Sequence, residues 1–359
     1  MAVVRTLAKN PLNWLLLMIP LAAVLQSSSV APAWTLAASA MAMVPLAGLI
    51  GESTEALAYH TGPRVGGLLN ATLGNAAELI ICVVAIREGL LDLVKASITG
   101  SILGNLLFVL GMSMLLGGIR HREQAFDRQR ASADSILLVL AVTALAIPSF
   151  FSQVSTGIHN PTAIEALSLG VAGLMLVLYI LGLIYSLRSQ KSPLSRPSAD
   201  PAVHPAGWRI GTALAILGPT TIGVIWMSEI LVGQVEPVVA SLGVSEFFLG
   251  VILVPIVGNI AEHLVAVSVA LKNQMSLSVE IAIGSSLQVA LFVVPFLVFV
   301  SLAMGNPLSL VFNNFELVAL IGGVLITALV ASDGESNWLE GAELVALYLM
   351  TALAFFFLP

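Results

Sequence analysis

The chain has 359 residues, of which 58% are hydrophobic and only 9% charged, and its mean hydropathy is +1.01. Soluble domains carry about 25% charged residues, so this composition excludes a soluble globular protein. Because so few residues are charged, the formal net charge of −6 does not identify a binding partner. We expect no nucleic-acid partner. The single cysteine, Cys82, excludes an intrachain disulfide.

Apolar runs of about 20 residues, long enough to cross a bilayer as helices, follow one another along the chain. They do not alternate as barrel strands do, and a helix satisfies its own backbone in lipid, so the sequence predicts an all-α polytopic membrane protein. The length of the first run favours a retained span over a cleaved signal peptide. About eleven spans are predicted, at residues 12–30, 33–59, 65–88, 94–118, 134–152, 163–187, 209–233, 246–271, 277–303, 312–331 and 338–358.

The basic residues predict the orientation of these spans. With a cytoplasmic N-terminus, 12 of the 14 Lys and Arg residues fall in cytoplasmic segments, and only Arg87 and Lys95 fall outside. The positive-inside rule therefore favours a cytoplasmic N-terminus and, with an odd number of spans, an external C-terminus. The predicted partner of these spans is the surrounding lipid bilayer. The sequence leaves a homo-oligomer open.

One motif occurs twice, as Gly74-Asn75-Ala76-Ala77-Glu78 and as Gly258-Asn259-Ile260-Ala261-Glu262. An offset of 184 residues aligns 74–111 with 258–295 without a gap, and 12 of the 38 positions are identical. The polar matches carry the argument, since apolar matches arise by chance in such a composition. They are Asn75 with Asn259, Glu78 with Glu262, and Ser101 with Ser285.

The two copies are predicted to enter the membrane from opposite sides, because five crossings separate their spans. An inverted repeat of this kind is typical of secondary transporters, with the binding site near the bilayer midplane. We therefore expect an extra N-terminal helix over 1–32, a first repeat over 33–187, a cytoplasmic linker over 188–208 and a second, inverted repeat over 209–359.

Each copy of the motif predicts an oxygen-lined helix face. Gly74 and Glu78 are four residues apart and share a face, as do Gly258 and Glu262. The glycines let a ligand approach the backbone, and Pro255 removes a backbone donor just before Gly258. Carbonyl oxygens freed by broken helices are tolerated at membrane depth only where they line a cavity. Such a site suits Ca2+, and Mg2+ less well because it gives up water reluctantly.

Glu78 and Glu262 are the predicted cation- and proton-binding acids, and we expect them to face each other. Two carboxylates together in an apolar setting need a counter-charge, which a divalent cation or protons can supply. Binding the two in turn at one site gives cation/proton exchange. Supporting polar groups are predicted on the repeated helices and beside the acids, at Asn75, Asn259, Ser101, Asn105, Ser285, Ser286, Gln288 and His263.

Three further residues keep two interpretations each. His263 either relays protons or only hydrogen-bonds a neighbouring helix. Glu55 and Glu229, near the ends of their spans, either guide ions along an access path or lie at the membrane interface. Glu280 aligns with Ala96 rather than with an acid, which gives it no repeated role.

The two motif regions, residues 66–78 and 255–263, resemble the Ca2+/H+ antiporter (cation/proton exchanger) family of the cation/Ca2+ exchanger superfamily. The resemblance covers about residues 50–330. It implies two inverted five-helix repeats after the first helix, with Ca2+ exchanged for H+ at Glu78 and Glu262. Many family members carry an acid-rich helix between the halves, whereas residues 188–209 hold only Asp200. The long N-terminal extension of many plant and fungal members is also absent, which favours a prokaryotic plasma membrane over a vacuolar membrane.

Rival functions are less well supported by the residues. A Na+/Ca2+ exchanger, or an exchanger of another divalent ion such as Mn2+, stays open as the alternative. An enzyme is not expected, because Glu262-His263 lacks the remaining ligands of a zinc protease motif. A channel would place the same acids in an open pore. No resident cofactor is predicted, and Ca2+ enters as the transported substrate.

Overall fold

The protein is described by a computed structural model over residues 10–28, 30–154, 161–188 and 208–358. A 3-10 turn at Pro11–Leu17 precedes the first α-helix. The α-helices are α1 Met18–Gln26, α2 Pro32–Leu73, α3 Ala76–Arg87, α4 Leu91–Leu103, α5 Leu110–His121, α6 Arg128–Val154, α7 Pro161–Arg188, α8 Ile210–Gly233, α9 Val235–Leu242, α10 Glu246–Phe248, α11 Val254–Ala270, α12 Met275–Gln288, α13 Val294–Ala303, α14 Asn314–Val330 and α15 Trp338–Phe357.

In the described part of the chain, three π-helical segments interrupt the long helices, at Gly104–Val109, Leu249–Leu253 and Val289–Val293. The first joins α4 to α5 and the third joins α12 to α13, so they occupy nearly equivalent places at the 184-residue offset. A π turn inserts an extra residue and is often found at functional sites. These segments therefore mark where the helices depart from regular geometry near the repeated motifs.

Two breaks shape the helices before the first motif. Gly62, inside α2, has φ +82° and ψ 171°, a conformation that glycine adopts without a steric penalty. At Gly74 and Asn75 the chain leaves α2 and starts α3, with Asn75 at φ −97° and ψ 17°. The predicted span at 65–88 is consequently two helical pieces that meet at the motif.

The helical prediction is confirmed: among the described residues, the only β structure is one antiparallel pair, β1 Gln124–Ala125 with β2 Glu335–Ser336. Eight helical stretches in that part of the chain are long and apolar enough to cross a membrane, and Pro11–Gln26 and Asn314–Val330 are shorter apolar helices. The predicted spans at 12–30 and 33–59 differ in their ends, since α1 stops at Gln26 and α2 continues past Gly62. The predicted linker lies almost wholly outside the described residues.

Packing brings the two halves of the chain together. Helix α2 packs along α8, α5 packs along α15, and α4 packs on the π segment Leu249–Leu253. Helix α11, which carries the second motif, contacts α2, α3, α5 and α12. A large apolar core of buried aliphatic side chains runs through most of these helices. The two motifs therefore meet in the interior, between helices of both halves.

Candidate cation site

Glu78 lies in the first turn of α3 and is 1% exposed. Its Oε1 accepts a short hydrogen bond from Ser101 Oγ on α4. The amide of Asn259 lies beside the carboxylate, and Glu262 is near enough to repel it electrostatically. The first acid is thus buried among residues of both motifs.

Glu262 occupies the matching position on α11 and is partly exposed. Each acid faces the glycine of the other motif. A Cβ built on Gly258 would lie 3.5 Å from Glu78 Cβ, and one built on Gly74 would lie 3.8 Å from Glu262 Oε1. Both distances are those of ordinary van der Waals contact, so each acid packs beside the glycine of the opposite motif.

The two asparagines of the motifs have different partners. Asn75 Nδ2 donates to Gln288 Oε1 at 2.8 Å, which links the first motif to α12. Asn259 Nδ2 lies beside Glu78 but has no partner with hydrogen-bond geometry. Pro255 begins the first turn of α11 and is buried against Gly100 on α4, where an added Cβ would lie 2.7 Å from Pro255 Cγ.

The remaining predicted polar residues divide into two groups. Asn105, in the first π segment, accepts a hydrogen bond from His263 Nε2 at 3.0 Å, and Ser285 lies close to Glu262. Ser286 Oγ instead donates to the Ala282 carbonyl of its own helix, so its hydroxyl is not directed at the acids. The structure thus places Ser101, Asn259 and Ser285 beside the two acids. Four other predicted residues bond one another in the pairs Asn75 with Gln288 and Asn105 with His263, and Ser286 is the exception.

Several buried polar atoms at the site have no hydrogen-bond partner. They include Asn75 Oδ1, Glu78 Oε2, Asn105 Nδ2, Asn259 Nδ2 and Ser285 Oγ. A buried polar group without a partner costs about 1–3 kcal/mol, which a bound ion, proton or water can offset. Within the described residues no three His, Cys, Asp or Glu side chains are grouped so as to hold a metal ion. A cation bound at this site would therefore need amide, hydroxyl or carbonyl oxygens besides the two carboxylates.

The two predicted access residues lie away from these atoms. Glu55 on α2 is exposed. Glu229 on α8 pairs with Arg87 at the end of α3, at 3.0 Å from Oε1 to Nη1, with side chains 42% and 52% exposed. The ion pair joins the two halves of the chain at the surface, and the access role of both acids stays a prediction.

Sequence reasoning assigned no role to several buried or half-buried charged residues outside the motifs. Glu316 is buried at the start of α14 and accepts from Thr99 Oγ1 at 3.1 Å. Arg130 on α6 pairs with Glu280 on α12, and Asp134 is buried nearby. An acid or arginine at the edge of an apolar span was the available signal, but without a repeated partner it did not stand out.

Fold and site together define an all-helical membrane protein in which two copies of one motif join their acids in the interior. A family profile described as sodium/calcium exchanger protein matches residues 31–188 and 212–357. The chain therefore belongs to the sodium/calcium exchanger protein family.

Individual relatives show which members of this family the chain is similar to. The chain is 45% identical over 334 residues to a Ca(2+)/H(+) antiporter of Aphanothece halophytica, with 89% of each chain covered. It is 43% identical over 320 residues to the Ca(2+)/H(+) antiporter ChaA of Bacillus subtilis, covering 88% of this chain and 90% of that one. The solved structure of native YfkE is 40% identical with a TM-score of 0.82, covering 95% of this chain and 97% of that chain. The resemblance to Ca2+/H+ antiporters is confirmed by these matches.

Proposed function

We propose that the protein exchanges Ca2+ for H+ across a membrane by alternating access to the site at Glu78 and Glu262. The observation that carries the proposal is that each of these two acids packs beside the glycine of the other motif, among buried polar atoms without protein partners. The relatives named Ca(2+)/H(+) antiporter support the same choice of ions.

Charge balance explains why one site serves both ions. Two ionised carboxylates close together in a low-dielectric interior carry a repulsion that must be neutralised. One Ca2+ neutralises both acids, and so do protons on both acids. Because each ion removes the need for the other, binding of one displaces the other. Ca2+ takes six to eight oxygen ligands, and Asn75 Oδ1 and Glu78 Oε2 are oxygens that could contribute.

Both halves supply this arrangement, which supports two inverted repeats over 33–187 and 209–359 after an N-terminal helix over 1–32, joined by a linker over 188–208. The helix bounds agree with this assignment: shifting α4 by 184 residues gives 275–287, and α12 covers Met275–Gln288. The equivalent places of the π segments Gly104–Val109 and Val289–Val293 support it further.

Long-range polar contacts support the eleven-span topology, whereas the cytoplasmic assignment of the N-terminus rests on the positive-inside rule alone. Each of the following contacts joins two residues that the span count assigns to the same face. On the outer face these are Arg87 with Glu229, Lys95 with Val311 O, and Asn306 with Ile86 O. On the cytoplasmic face these are His60 with Trp208 O, His121 with Leu271 O, Gln124 with Asn273, and Arg128 with Ser332 O.

The protein is a membrane protein, and we place it in a prokaryotic plasma membrane. The bacterial relative ChaA supports this location over a vacuolar one. In that membrane, with the N-terminus in the cytoplasm, the exchanger would use an inward proton gradient to expel Ca2+.

The decisive test is pH-driven 45Ca uptake into liposomes containing the purified protein, with Na+ absent. We expect uptake by the wild type that depends on the imposed pH gradient. Glu78→Gln and Glu262→Gln keep the shape of the side chain but cannot carry the negative charge, so both should abolish uptake. Glu343→Gln, the same change at an exposed position on α15, is the matched control and should transport normally.

Two results would reject the proposal. Full pH-driven uptake by either site variant would show that its acid is not required. Wild-type uptake that occurs only after Na+ is added, and that does not depend on the pH gradient, would favour the Na+/Ca2+ alternative. Competition by Mn2+ and Mg2+ in the same assay reports the cation preference.

A further inference from the structure

Two charged or polar contacts outside the cation site each tie a site-bearing helix to the other half of the chain. Helix α4 carries Ser101, and the π segment that continues it carries Asn105; helix α12 carries Ser285 and Gln288. Helix α4 contacts α14, and α12 contacts α6. At the 184-residue offset, α4 corresponds to α12 and α6 to α14, so the two helix pairs are equivalent by the internal repeat, although the residues that make each contact are not aligned.

The contact between α4 and α14 is made by Thr99 and Glu316. Thr99 Oγ1 donates to Glu316 Oε1 at 3.1 Å, and both residues are buried, at 0% and 2% exposed. The other oxygen, Glu316 Oε2, accepts from Asn313 N at 2.8 Å, closing a capping box at the start of α14. One carboxylate therefore both caps its own helix and binds the neighbouring one.

The contact between α12 and α6 is made by Arg130 and Glu280. Arg130 Nη2 pairs with Glu280 Oε1, and their side chains are only 18% and 21% exposed. Asp127 N, just before α6, donates to Ser276 Oγ on α12 at 3.2 Å. Asp134, buried one turn along α6, and Asp127 are the other acids close to this pair.

The distances along the helices connect these contacts to the cation site. Thr99 lies two residues before Ser101, which bonds Glu78. Glu280 lies five residues before Ser285 and eight before Gln288, which bonds Asn75. A shift of α4 or α12 at the contact would move these groups relative to the acids, because a helix transmits displacement along its axis.

We propose that Thr99 with Glu316, and Arg130 with Glu280, are positioning residues that hold the two halves of the cation site in register across the repeat boundary. This inference rests on the proposed function, since it assigns a role in Ca2+ binding to residues that do not touch the acids. It differs from a general stabilising role, because it predicts a change in Ca2+ affinity in protein that remains folded.

Thr99→Val tests the first contact with little change in volume. It removes the donor and leaves Glu316 Oε1 buried without that partner, while the capping box on Asn313 remains. We expect the apparent KM for Ca2+ to rise roughly fivefold, in line with the loss of one buried hydrogen bond, with a smaller change in the maximal rate. Thr99→Ser restores the hydroxyl and should restore the KM.

Thr351→Val is the matched control, because the Thr351 hydroxyl bonds only the Leu347 carbonyl of its own helix. It should leave the KM unchanged. An unchanged KM in Thr99→Val, or a rise in Thr99→Ser equal to that in Thr99→Val, would overturn the positioning role of Thr99.

A double-mutant cycle tests the second contact. Arg130→Gln and Glu280→Gln should each raise the KM, and the double variant should be no worse than the more impaired single variant, because both remove the same ion pair. Additive effects would show that the two residues act separately and would overturn the paired role.

Calorimetric Ca2+ titration of the purified variants separates this inference from the proposed function. If the wild type binds Ca2+ but shows no pH-driven uptake, the exchange mechanism fails while the positioning effect on affinity is still measured. If the wild type transports and the variants bind Ca2+ as tightly as it does, the positioning inference fails while the proposed function stands.

Discussion

Replacing Gly100 by alanine adds only one methyl group, but we expect it to reduce both the stability of the protein and its transport activity. Helix α4 approaches the other half of the chain at this glycine, and a Cβ there would lie 2.0 Å from Val251 O and 2.7 Å from Pro255 Cγ. Cβ contacts below 3.0 Å are essentially never observed, so α4 or the π segment would have to move by about 1 Å. Overpacking of this kind costs about 1–3 kcal/mol.

The displacement also reaches the cation site, because the next residue, Ser101, donates to Glu78. A misplacement of about 1 Å in a functional group can reduce a rate by two orders of magnitude in enzymes. For Gly100→Ala we therefore expect a lower thermal unfolding midpoint and a fall in pH-driven Ca2+ uptake of roughly tenfold or more, as the same displacement acts on an ion site.

Gly322→Ala on α14 is the control, since a Cβ there meets no described atom within 4 Å. Alanine favours a helix over glycine by about 0.5–1 kcal/mol, so this variant should melt at the same or a higher temperature and transport normally. Thermal unfolding in detergent and uptake in liposomes are measured for both variants. Wild-type melting and uptake in Gly100→Ala would refute the close approach of α4 and the π segment.

Two further substitutions distinguish buried site contacts from surface ones. Ser101→Ala removes the donor to Glu78 and should raise the apparent KM for Ca2+ roughly tenfold, because hydrogen bonds to charged groups contribute about 1.5–3 kcal/mol; Ser286→Ala, whose hydroxyl bonds its own helix, should change it less than about twofold, and equal effects in the two would contradict the assignment. Arg87→Gln breaks the exposed pairs with Glu229 and Glu88 and should cost at most about 1 kcal/mol in thermal unfolding, so a larger loss would show that these pairs are structurally essential.

The sequence predicted the helical membrane class well because its signals are long and repeated. Apolar runs of bilayer length leave few alternatives to helices, since lipid offers no partners for an unpaired backbone. The repeat of Asn75 and Glu78 at Asn259 and Glu262 indicated which polar residues belong together, because chance rarely repeats a buried acid and amide at one offset. Spacing alone therefore predicted that the two motifs lie together, and the cation-binding role of their acids stays a prediction.

Local geometry was not predictable from the same spacing. Helix-face arguments assume 3.6 residues per turn, and the π segments at Gly104–Val109 and Val289–Val293 break that period. Gln288 bonds Asn75, whereas the residue equivalent to Gln288 in the first repeat is Gly104, which has no side chain to offer. Ser286, beside Ser285 in sequence, bonds its own helix. Which polar groups meet depends on how each helix is rotated about its axis, and the repeated residue types do not specify that rotation.

The same limit explains the contacts that tie the repeats together. Glu316 and Glu280 occupy equivalent helix pairs, yet neither aligns with an acid in the other copy. One of these helix pairs is joined by a Thr–Glu hydrogen bond and the other by an Arg–Glu ion pair. The sequence repeat therefore indicates the residues of the common site more readily than the contacts between the two halves of the chain.

The two motifs of Gly-Asn-x-x-Glu are alike in sequence and unlike in their surroundings. Glu78 is wholly buried and accepts a hydrogen bond from Ser101. Glu262 is partly exposed, and Ser285, the residue equivalent to Ser101, has no partner with hydrogen-bond geometry. An inverted repeat that exposes its site to one side at a time must place its two copies in different environments, because identical environments would open both faces or neither. The different surroundings of Glu78 and Glu262 agree with the alternating access proposed above.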